Sequence, residues 1–445
     1  MQYETMHIGF DDTDSPRRGC TTYIAALLVE KLSKMGVQFL DYPNLVRLNP
    51  NVPWKTRGNG ALCLRITCPM EMDVEVKEAV VSEVEQNSDL EWEGTDPGIV
   101  FLTRKKVPKE IREFASKAIT GIVTKKKALS LIKRFEAEAV GFKKGRGIIG
   151  GLSAIGETLE NDHTYELIAY RTPENRGTPR KIDAESVKKM DKETFPETFN
   201  NVDAETGRIL ITPRGPDPIL YGVRGETPRA VKKAFKIIKP LEPIERWVIF
   251  RTNHGTDAHL KPVNSIKDVK PFHPVIVRGT VASNPKTIPG SHVIFTITDR
   301  TATIDCAAYE PTGKLRKIAK KLIRGDHVEV CGGVREPADH PLTINLEKLH
   351  IIRLAPRFSY QNPRCPKCGR RMESMGRNKG FRCRKCDFKD PNAKKVAVEE
   401  KRELKPGWYV TEPRSQRHLT KPLIRYGKEK KGRVKVELID CWHSP

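Results

Sequence analysis

Three carboxylates lie within four residues near the start of the chain, in the stretch IGFDDTDSPRRGCTTYIA. Asp11, Asp12 and Asp14 directly follow a short apolar run, and like charges this close repel one another unless a cation neutralises them. Carboxylates beside hydroxyl groups favour magnesium, which commonly binds together with nucleotide phosphates. A single Asp here would indicate only a helix cap or a solvated turn. The cluster of three predicts a magnesium site.

Groups that can bind phosphate surround this acidic loop. Thr21 and Thr22 stand where a helix is predicted to begin, and helix N-termini attract phosphate. Two glycine-containing loops, residues 53–61 and 143–156, can bring backbone N–H groups close to phosphate, although ordinary turns explain them about as well. Neither has the GxxxxGK[ST] pattern of a Walker P-loop. The predicted ATP-binding residues are Arg17, Arg18, Thr22, Arg57, Lys143, Lys144, Gly145, Arg146 and Gly147.

Four of the ten cysteines form two CxxC pairs, Cys365 with Cys368 and Cys383 with Cys386. Each pair makes a tight turn that directs two thiolates the same way, and two such turns complete a tetrahedral zinc shell. A single CxxC could also be a redox motif, but the tandem arrangement favours structural zinc. Basic residues around the cysteines suit contacts with phosphate. This segment is therefore predicted to be a zinc ribbon that binds nucleic acid.

Several kinds of element must position these groups, and together they predict a multidomain α+β chain. A strand, the acidic loop, a helix and further alternating apolar runs indicate a mixed α/β domain over residues 1–155. Residues 156–262 alternate strands and helices like a ferredoxin-like sandwich. Five short strands with one helix after the third, over 270–355, predict an OB-fold β-barrel, with an SH3-like barrel as the alternative. The zinc ribbon and a basic tail occupy 362–445.

The charge of the chain indicates a polyanionic partner. Lysine and arginine total 80 against 56 acids in 445 residues, a net charge of +24. The charged surface of a heat-adapted protein would raise both signs, whereas here the acids do not keep pace, so nucleic acid is the expected partner. No apolar run approaches the ~20 residues of a membrane helix, and the N-terminus lacks a signal-peptide pattern. We expect a cytoplasmic protein with no membrane partner.

In the order of its motifs, the chain resembles the archaeal tRNA-isoleucine agmatinylcytidine synthetase (TiaS) family. The similar stretches span nearly the whole chain and include GFDDTDSPRRGCTTYIA, RLNPNVPWKTRGNGA, KKGRGIIGGLSAIG, LYGVRGETP, TNHGTDAHL and the paired cysteines. The resemblance implies that ATP phosphorylates the 2-carbonyl of the wobble cytidine in an isoleucine tRNA with a CAU anticodon. Agmatine then displaces phosphate, and the resulting agmatidine lets the tRNA read AUA as isoleucine.

The resemblance also implies roles for particular residues. The N-terminal domain would be a kinase-like catalytic domain whose acidic loop contains the three aspartates, and Thr21 would itself be phosphorylated. Agmatine carries a guanidinium group, which requires carboxylate or carbonyl acceptors. The preferred candidates for that acceptor are Asp203 and Glu226, with Asp217 and Asp257 as further candidates. Each of these four could also be an ordinary surface acid.

Two other functions remain open on the sequence. The first is a non-catalytic tRNA-binding adaptor made of the OB-fold and the zinc ribbon, for which three clustered acids would have no use. The second is a different ATP-dependent RNA ligase or a helicase-like enzyme, which the missing Walker loop and ligase-type lysine motif disfavour. ATP hydrolysis in the presence of tRNA would exclude the adaptor. The oligomeric state cannot be read from the sequence.

Overall fold

The computed structural model describes residues 2–336, 341–432 and 436–444. Its strands form two large sheets, a two-stranded ribbon and a small three-stranded sheet. In those three ranges, no helix is both long and apolar enough to cross a membrane.

One nine-stranded sheet extends through the N-terminal half of the chain. Its strands are β1 (Tyr3–Asp11), β2 (Gln38–Phe39), β3 (Asn44–Arg47), β4 (Gly60–Pro69), β5 (Gly98–Thr103), β6 (Glu138–Gly141), β7 (Thr164–Arg171), β8 (Ile219–Gly225) and β9 (Ile244–Thr252). Their order is β6-β5-β1-β4-β3-β9-β7-β8, and β2 also pairs with β4. The parallel pairing of β3 with β9 therefore joins the two domains that the sequence predicts on either side of residue 155.

Helices cover both faces of this sheet. They are α1 (Thr21–Lys34), α2 (Asp73–Asn87), α3 (Lys109–Thr120), α4 (Lys125–Arg134), α5 (Ile148–Gly156), α6 (Ala184–Thr194) and α7 (Pro228–Ile237). Alternate residues of a strand point to opposite faces, and β4 shows this directly: Leu62 and Leu64 join the core beneath α1 and α2, whereas Cys63 joins the core beneath α3, α4 and α5. In α1, Ile24 and Leu28 are fully buried, and the helix begins at Thr21, where the sequence predicts it.

The second large sheet closes into a barrel. Its strands are β10 (Lys261–Pro262), β11 (Pro274–Val281), β12 (Lys286–Ile288), β13 (His292–Thr298), β14 (Thr303–Ala308), β15 (His327–Arg335) and β16 (Thr343–Arg353), joined by a later strand, Gly407–Val410. The order β11-β15-β16-β14-β13 returns to β11 through a β11–β13 pairing, so the five long strands leave no open edge. Helix α8 (Lys314–Ala319) lies between β14 and β15, as the sequence predicts.

A ribbon and a small sheet follow the barrel. The remaining strands are β17 (Arg357–Gln361), β18 (Glu373–Ser374), β19 (Phe381–Arg382), β20 (Lys389–Asp390), β21 (Val396–Glu400) and β22 (Gly407–Val410). Strands β18, β19 and β20 form the three-stranded sheet next to the cysteines, whereas β17 pairs with β21 in the ribbon. Strand β22 then adds to β16 of the barrel.

The basic tail returns to the N-terminal half of the molecule. Arg425 is fully buried and donates hydrogen bonds to Glu226, to Asp162 and to the carbonyl oxygen of Gly255. Near the end of the chain, the ring of Trp442 packs edge-on against that of Tyr42. Nothing in the sequence indicated this return. Tail residues 433–435 and 445, which the predicted C-terminal domain includes, lie outside the described residues.

Candidate functional site

A cavity of about 490 Å³ opens where the two halves of the nine-stranded sheet and the returning tail meet. One wall consists of the acidic loop and the first turn of α1, and the loop before β4 lies beside it. The opposite wall comes from β7, β8 and the residue His254 after β9. Five tail residues also line the cavity: Pro413, Arg414, Gln416, Arg417 and His418. Residues more than 400 positions apart in sequence thus contribute to one site.

All three aspartates of the acidic loop line this cavity, and two of them contact arginines. Arg146 donates two hydrogen bonds to the Asp12 carboxylate, at 2.9 and 3.1 Å. Arg57 donates from Nε to Asp14 at 2.6 Å. Asp12 has a backbone φ of 62°, in the left-handed region that Asp and Asn tolerate better than most residues. The loop is therefore held by charge pairs made within the protein itself.

The surroundings of the loop make its carboxylates hard to ionise. Loss of water around Asp11, together with the nearby Asp12, raises the pKa of Asp11 to about 8. Burial also raises the pKa of Asp12 to about 6, even though Arg146 opposes the shift. A cation in the loop would favour the ionised form of both groups. A divalent cation at the loop would therefore have to overcome these raised pKa values by favouring the ionised carboxylates.

The side-chain oxygens of the three aspartates do not converge. Among the residues that the structure describes, only the four paired cysteines bring three or more metal-ligating atoms within 4.8 Å of one another. Arg146 and Arg57 occupy carboxylate oxygens that a metal would need. Magnesium at this loop stays a prediction, and its binding would require at least one of these arginines to release its carboxylate.

The start of α1 faces the same cavity, as the sequence predicts. Thr21 and Thr22 both line it, and no side chain caps this helix end. The hydroxyl group of Thr13 donates a hydrogen bond to Oγ1 of Thr21 at 3.0 Å. Oγ1 of Thr22 lies 3.0 Å from Sγ of Cys20. The uncapped helix end can therefore direct its backbone dipoles at a phosphate group in the cavity.

The second glycine loop positions a side chain by letting two backbones approach closely. A Cβ atom on Gly150 would lie 1.9 Å from Oδ2 of Asp11, and one on Gly147 would lie 2.3 Å from the carbonyl oxygen of Asp11. Only glycine permits this contact between α5 and the end of β1. The approach places Arg146 against Asp12. Close packing thus accounts for these glycines at least as well as phosphate binding does.

The structure separates the nine predicted ATP-binding residues into two groups. Those lining the cavity are Thr22, Arg57, Arg146 and Gly147; those not lining it are Arg17, Arg18, Lys143, Lys144 and Gly145. Arg17 and Arg18 both donate hydrogen bonds to the buried carboxylate of Asp89 at 2.9 Å. The Lys143 ammonium donates to the carbonyl oxygen of Trp92. These three side chains already have partners in the protein, which the sequence did not indicate.

Arg57 links the acidic loop to the second half of the sheet. Its guanidinium lies 2.5 Å from Oδ2 of Asp14 and 2.5 Å from Oδ1 of Asp217. It also donates to the carbonyl oxygen of Gly19 at 2.7 Å. Asp217 precedes β8 and lines the cavity. A carboxylate that the sequence ranks behind Asp203 and Glu226 therefore lies at the site, already bound to a guanidinium group.

The far wall of the cavity carries a buried polar cluster that sequence reasoning missed. Arg224 donates to Oε1 of Glu166 at 3.1 Å, and Oε2 of Glu166 lies 3.4 Å from Nδ1 of His254. The ring of His418, from the tail, stands edge-on to the His254 ring at 4.9 Å. Neither Oε2 of Glu166 nor Nδ1 of His254 has a hydrogen-bond partner within the described part of the chain. Glu166 and His254 both line the cavity, so these two atoms are candidate contacts for a bound molecule.

Burial and the neighbouring Arg224 determine the protonation states of Glu166 and His254 on this wall. Burial acts to raise the pKa of Glu166, but the guanidinium of Arg224 more than offsets it, so the pKa of Glu166 is well below the usual range and the carboxylate is ionised. Burial, reinforced by Arg224, lowers the pKa of His254 to about 3, so the ring is neutral at pH 7. The far wall therefore offers an anionic acceptor, Oε2 of Glu166, to a cationic group.

The two acids that the sequence ranked first for agmatine lie elsewhere. Asp203 accepts two hydrogen bonds from Arg414 at 3.0 Å, and Glu226 accepts from Arg425 at 2.6 Å and from Lys430 at 3.2 Å. Neither residue lines the cavity. Both carboxylates pair with cations of the returning tail, which the sequence placed with the zinc ribbon, and a role for them in binding agmatine stays a prediction.

The four paired cysteines converge as the spacing predicts. Their sulfur atoms all lie within 4.8 Å of one another, with Cys365 and Cys386 at 3.5 Å and Cys368 and Cys383 at 3.4 Å. Zinc bonds of about 2.3 Å in a tetrahedron would place the sulfurs about 3.8 Å apart, so the set fits this ion. The backbone N–H group of Cys386 lowers the pKa of Cys383 to about 6, which favours the thiolate.

We expect Cys383→Ser to release zinc, unfold residues 362–392 and weaken binding to RNA at least tenfold. The small core around the cysteines contains little besides Met372 and Phe381, so the metal must hold it together. Metal content by mass spectrometry and RNA affinity by filter binding measure the two effects. Cys441→Ser, an exposed cysteine outside the cluster, is the matched control. Full zinc occupancy in the Cys383 variant would contradict the assignment.

Four family models match consecutive parts of the chain. They are the TiaS TCKD domain over residues 7–144, the TiaS FLD domain over 145–259, an OB-fold nucleic acid binding domain over 275–352 and the TiaS C-terminal zinc ribbon domain over 362–404. The order is the one that the sequence predicts, and the OB-fold and zinc ribbon are confirmed. None of these models tests whether the first domain is kinase-like.

Full-length relatives give the same result. The tRNA 2-agmatinylcytidine synthetase TiaS of Staphylothermus marinus is 46% identical over 446 residues, covering 97% of this chain and 95% of the relative. The one from Methanocaldococcus jannaschii is 45% identical, covering 94% of this chain and 98% of the relative.

Solved structures match over the same extent. The complex of TiaS with its isoleucine tRNA and ATP is similar to this chain with a TM-score of 0.85 and 41% identity. The complex of TiaS with the same tRNA, AMPCPP and agmatine is similar with a TM-score of 0.82 and 38% identity. Each match covers 95% of this chain and 97% of the solved one.

Proposed function

Because the chain belongs to the TiaS family of tRNA 2-agmatinylcytidine synthetases, we propose that the cavity at the acidic loop is where this reaction takes place. The chain is an ATP-dependent ligase that forms 2-agmatinylcytidine on an isoleucine tRNA, with ATP, agmatine and the tRNA as its substrates. One observation supports the location best: a single cavity contains the acidic loop, the uncapped end of α1 and, opposite them, the carboxylate of Glu166.

In this proposal the N-terminal half acts as a kinase. The cytosine 2-oxygen is a poor leaving group, and transfer of a phosphoryl group from ATP to that oxygen makes it a good one. The primary amine of agmatine, once deprotonated, then forms the new C–N bond as the C–O bond breaks and phosphate departs. Arg57 and Arg146 can stabilise the phosphate charge, and catalysis otherwise depends on positioning. The tRNA must turn the wobble base out of its stack to reach the cavity.

Thr21 and the acidic loop have separate roles in this scheme. Thr21 presents its hydroxyl group at the helix end where phosphate binds best, which suits it to accept a phosphoryl group itself. Asp11, Asp12 and Asp14 would hold magnesium, which when bound supplies charge neutralisation to the phosphates. Without the metal, Arg146 and Arg57 neutralise Asp12 and Asp14. The loop would therefore exchange arginine for metal as the nucleotide binds.

We place the guanidinium of agmatine between Asp217 and Glu166. Asp217 already contacts the guanidinium of Arg57, which has the same planar shape as that of agmatine. Glu166 supplies the unpaired oxygen on the far wall. Both acids line the cavity, whereas Asp203 and Glu226 do not. In this proposal, the wall with the acidic loop binds the phosphates, and the opposite wall binds agmatine.

The proposed function is tested by the product itself. We expect the purified chain, incubated with ATP, agmatine and a transcript of the isoleucine tRNA with a CAU anticodon, to convert the wobble cytidine into a nucleoside with the mass of agmatidine. A transcript with uridine at the wobble position is the matched control and should remain unmodified. Mass analysis of the tryptic peptide that begins at Gly19, directly after Arg18, reports whether Thr21 is phosphorylated. Tight tRNA binding without ATP turnover or product would instead indicate the non-catalytic adaptor.

A further inference from the structure

The two-stranded ribbon of β17 and β21 connects the barrel to the zinc ribbon and exposes two aromatic rings. Within the described residues, these strands pair only with each other. Phe358 and Tyr360 leave 52% and 69% of their surfaces exposed. Because they are two positions apart in a strand, their side chains point to the same face, about 7 Å apart. The ribbon therefore presents a pair of aromatic rings side by side in solvent.

Neither ring has a partner ring or cation in the described part of the chain. No aromatic or cation–π contact involves them, although Lys367 lies over the ring of Phe388 nearby, at 5.5 Å. Two exposed rings on an isolated ribbon contribute little to folding, since a two-stranded sheet has no second layer beneath it. Contiguous exposed apolar surface of this kind marks a site of interaction.

The charge beside the ribbon specifies the kind of partner. Residues 362–392, the zinc ribbon directly after β17, contain ten lysines and arginines against three acids. All ten are exposed: Arg364, Lys367, Arg370, Arg371, Arg377, Lys379, Arg382, Arg384, Lys385 and Lys389. Basic side chains that contact phosphates, next to aromatic rings that stack on bases, are the recurring means of binding unpaired nucleotides.

We propose that Phe358 and Tyr360 form a stacking surface for unpaired nucleotides of the bound tRNA, an inference that rests on the proposed function. Each ring would stack on one base, and the spacing of about 7 Å allows two successive bases to do so. Glu399 stands opposite Phe358 across the ribbon, and its carboxylate can accept a hydrogen bond from a base amino group. The zinc ribbon would hold the adjacent phosphates.

The ribbon offers its own matched control. Val396 and Val398 pair with Gln361 and Ser359, so they lie on the opposite face and are exposed to 50% and 37%. We expect the double variant Phe358→Ala/Tyr360→Ala to bind the isoleucine tRNA at least tenfold more weakly than the parent, whereas Val396→Ala/Val398→Ala changes the affinity less than twofold. The salt dependence of binding should be unchanged, because no phosphate contact is removed.

A tryptophan variant and an assay of agmatidine formation separate stacking from other effects of the substitutions. A Phe358→Trp/Tyr360→Trp variant retains stacking and should bind at least as tightly as the parent. A failure of the proposed function would appear as the absence of agmatidine with the parent chain, whereas a failure of this inference would appear only in the tRNA affinities of the variants. Parental affinity in the alanine variant, equal losses on both faces, or weakened binding by the tryptophan variant would each overturn the proposal.

Discussion

Asp12→Asn is expected to lower the rate of ATP-dependent tRNA modification by at least about 100-fold, while tRNA affinity stays close to that of the parent. We choose asparagine and not alanine, because Asp12 has a left-handed φ of 62°, which Asn tolerates better than Ala does. The change removes the charge that would bind magnesium and preserves the backbone. Steady-state ATP turnover with saturating tRNA measures the effect, and filter binding measures the affinity.

Arg146→Ala is the control that separates catalysis from the ion pair. If Asp12 served only to hold Arg146, the two single variants and the double variant would lose the same activity. If Asp12 binds the metal, Asp12→Asn should lower the activity further even when Arg146 is already replaced by Ala. Parental ATP turnover in Asp12→Asn would refute the metal-site assignment outright.

The pH dependence of magnesium binding tests independently whether the acidic loop binds the metal. Protons compete with the metal for Asp11 and Asp12, whose pKa values are raised to about 8 and about 6. The magnesium concentration required for half-maximal turnover should therefore fall as the pH rises from about 6 to about 8.5 in the parent. In Asp12→Asn, the step that belongs to Asp12 should disappear, and the step that belongs to Asp11 should move below pH 8, because the charge of Asp12 no longer raises the pKa of Asp11.

The local features of the site could be predicted from the sequence because short-range spacing determines them. The acidic loop and Thr21 lie within eleven residues, and a strand–loop–helix unit is enough to bring them to one place. The cysteines needed only two tight turns and a connecting hairpin. In both cases the chemistry of neighbouring side chains constrains the fold to a few possibilities, so the residue types carry most of the information.

The far wall could not be predicted, because long-range pairing forms it. Glu166 and His254 reach the acidic loop only through the parallel pairing of β3 with β9, and His418 arrives with the tail. No periodicity in the sequence specifies which strands become neighbours. The sequence identifies the tail only as basic, whereas in the structure Arg425 of the tail is fully buried against Glu226 and Asp162. The charge composition alone cannot distinguish a basic side chain that contacts RNA phosphates from one that pairs with a buried carboxylate.

Arg17 and Arg18 show the same limit on a smaller scale. Both follow the acidic loop closely enough to suggest a phosphate clamp, but Asp89, just after α2, accepts from both. These arginines hold the pKa of Asp89 well below its usual range, and the carboxylate stays ionised. A partner 71 positions away in sequence thus determines what the Arg18 side chain does.

Amine selectivity tests the assignment of the far wall most severely. We expect Asp217→Asn to raise the KM for agmatine by about 100-fold with little change in the KM for ATP, because the guanidinium loses a charged acceptor in a partly dehydrated cavity. Lysine carries an α-carboxylate that Asp217 and Glu166 would repel, so the parent should incorporate lysine at a negligible rate. Competition between the two amines, followed by the mass of the modified nucleoside, measures both effects.

Glu226→Gln is the matched acid-to-amide control, and we expect it to change the stability of the fold and not the use of agmatine. Glu226 lies outside the cavity and pairs with Arg425, whose side chain is fully buried. Removing its charge leaves Asp162 as the remaining carboxylate for Arg425, so we expect a loss of about 1–3 kcal/mol in the free energy of unfolding and an unchanged KM for agmatine. Thermal unfolding and steady-state kinetics distinguish the two variants. If Glu226→Gln instead impaired agmatine use while Asp217→Asn did not, the amine pocket would lie at the tail contact and the far wall of the cavity would serve another purpose.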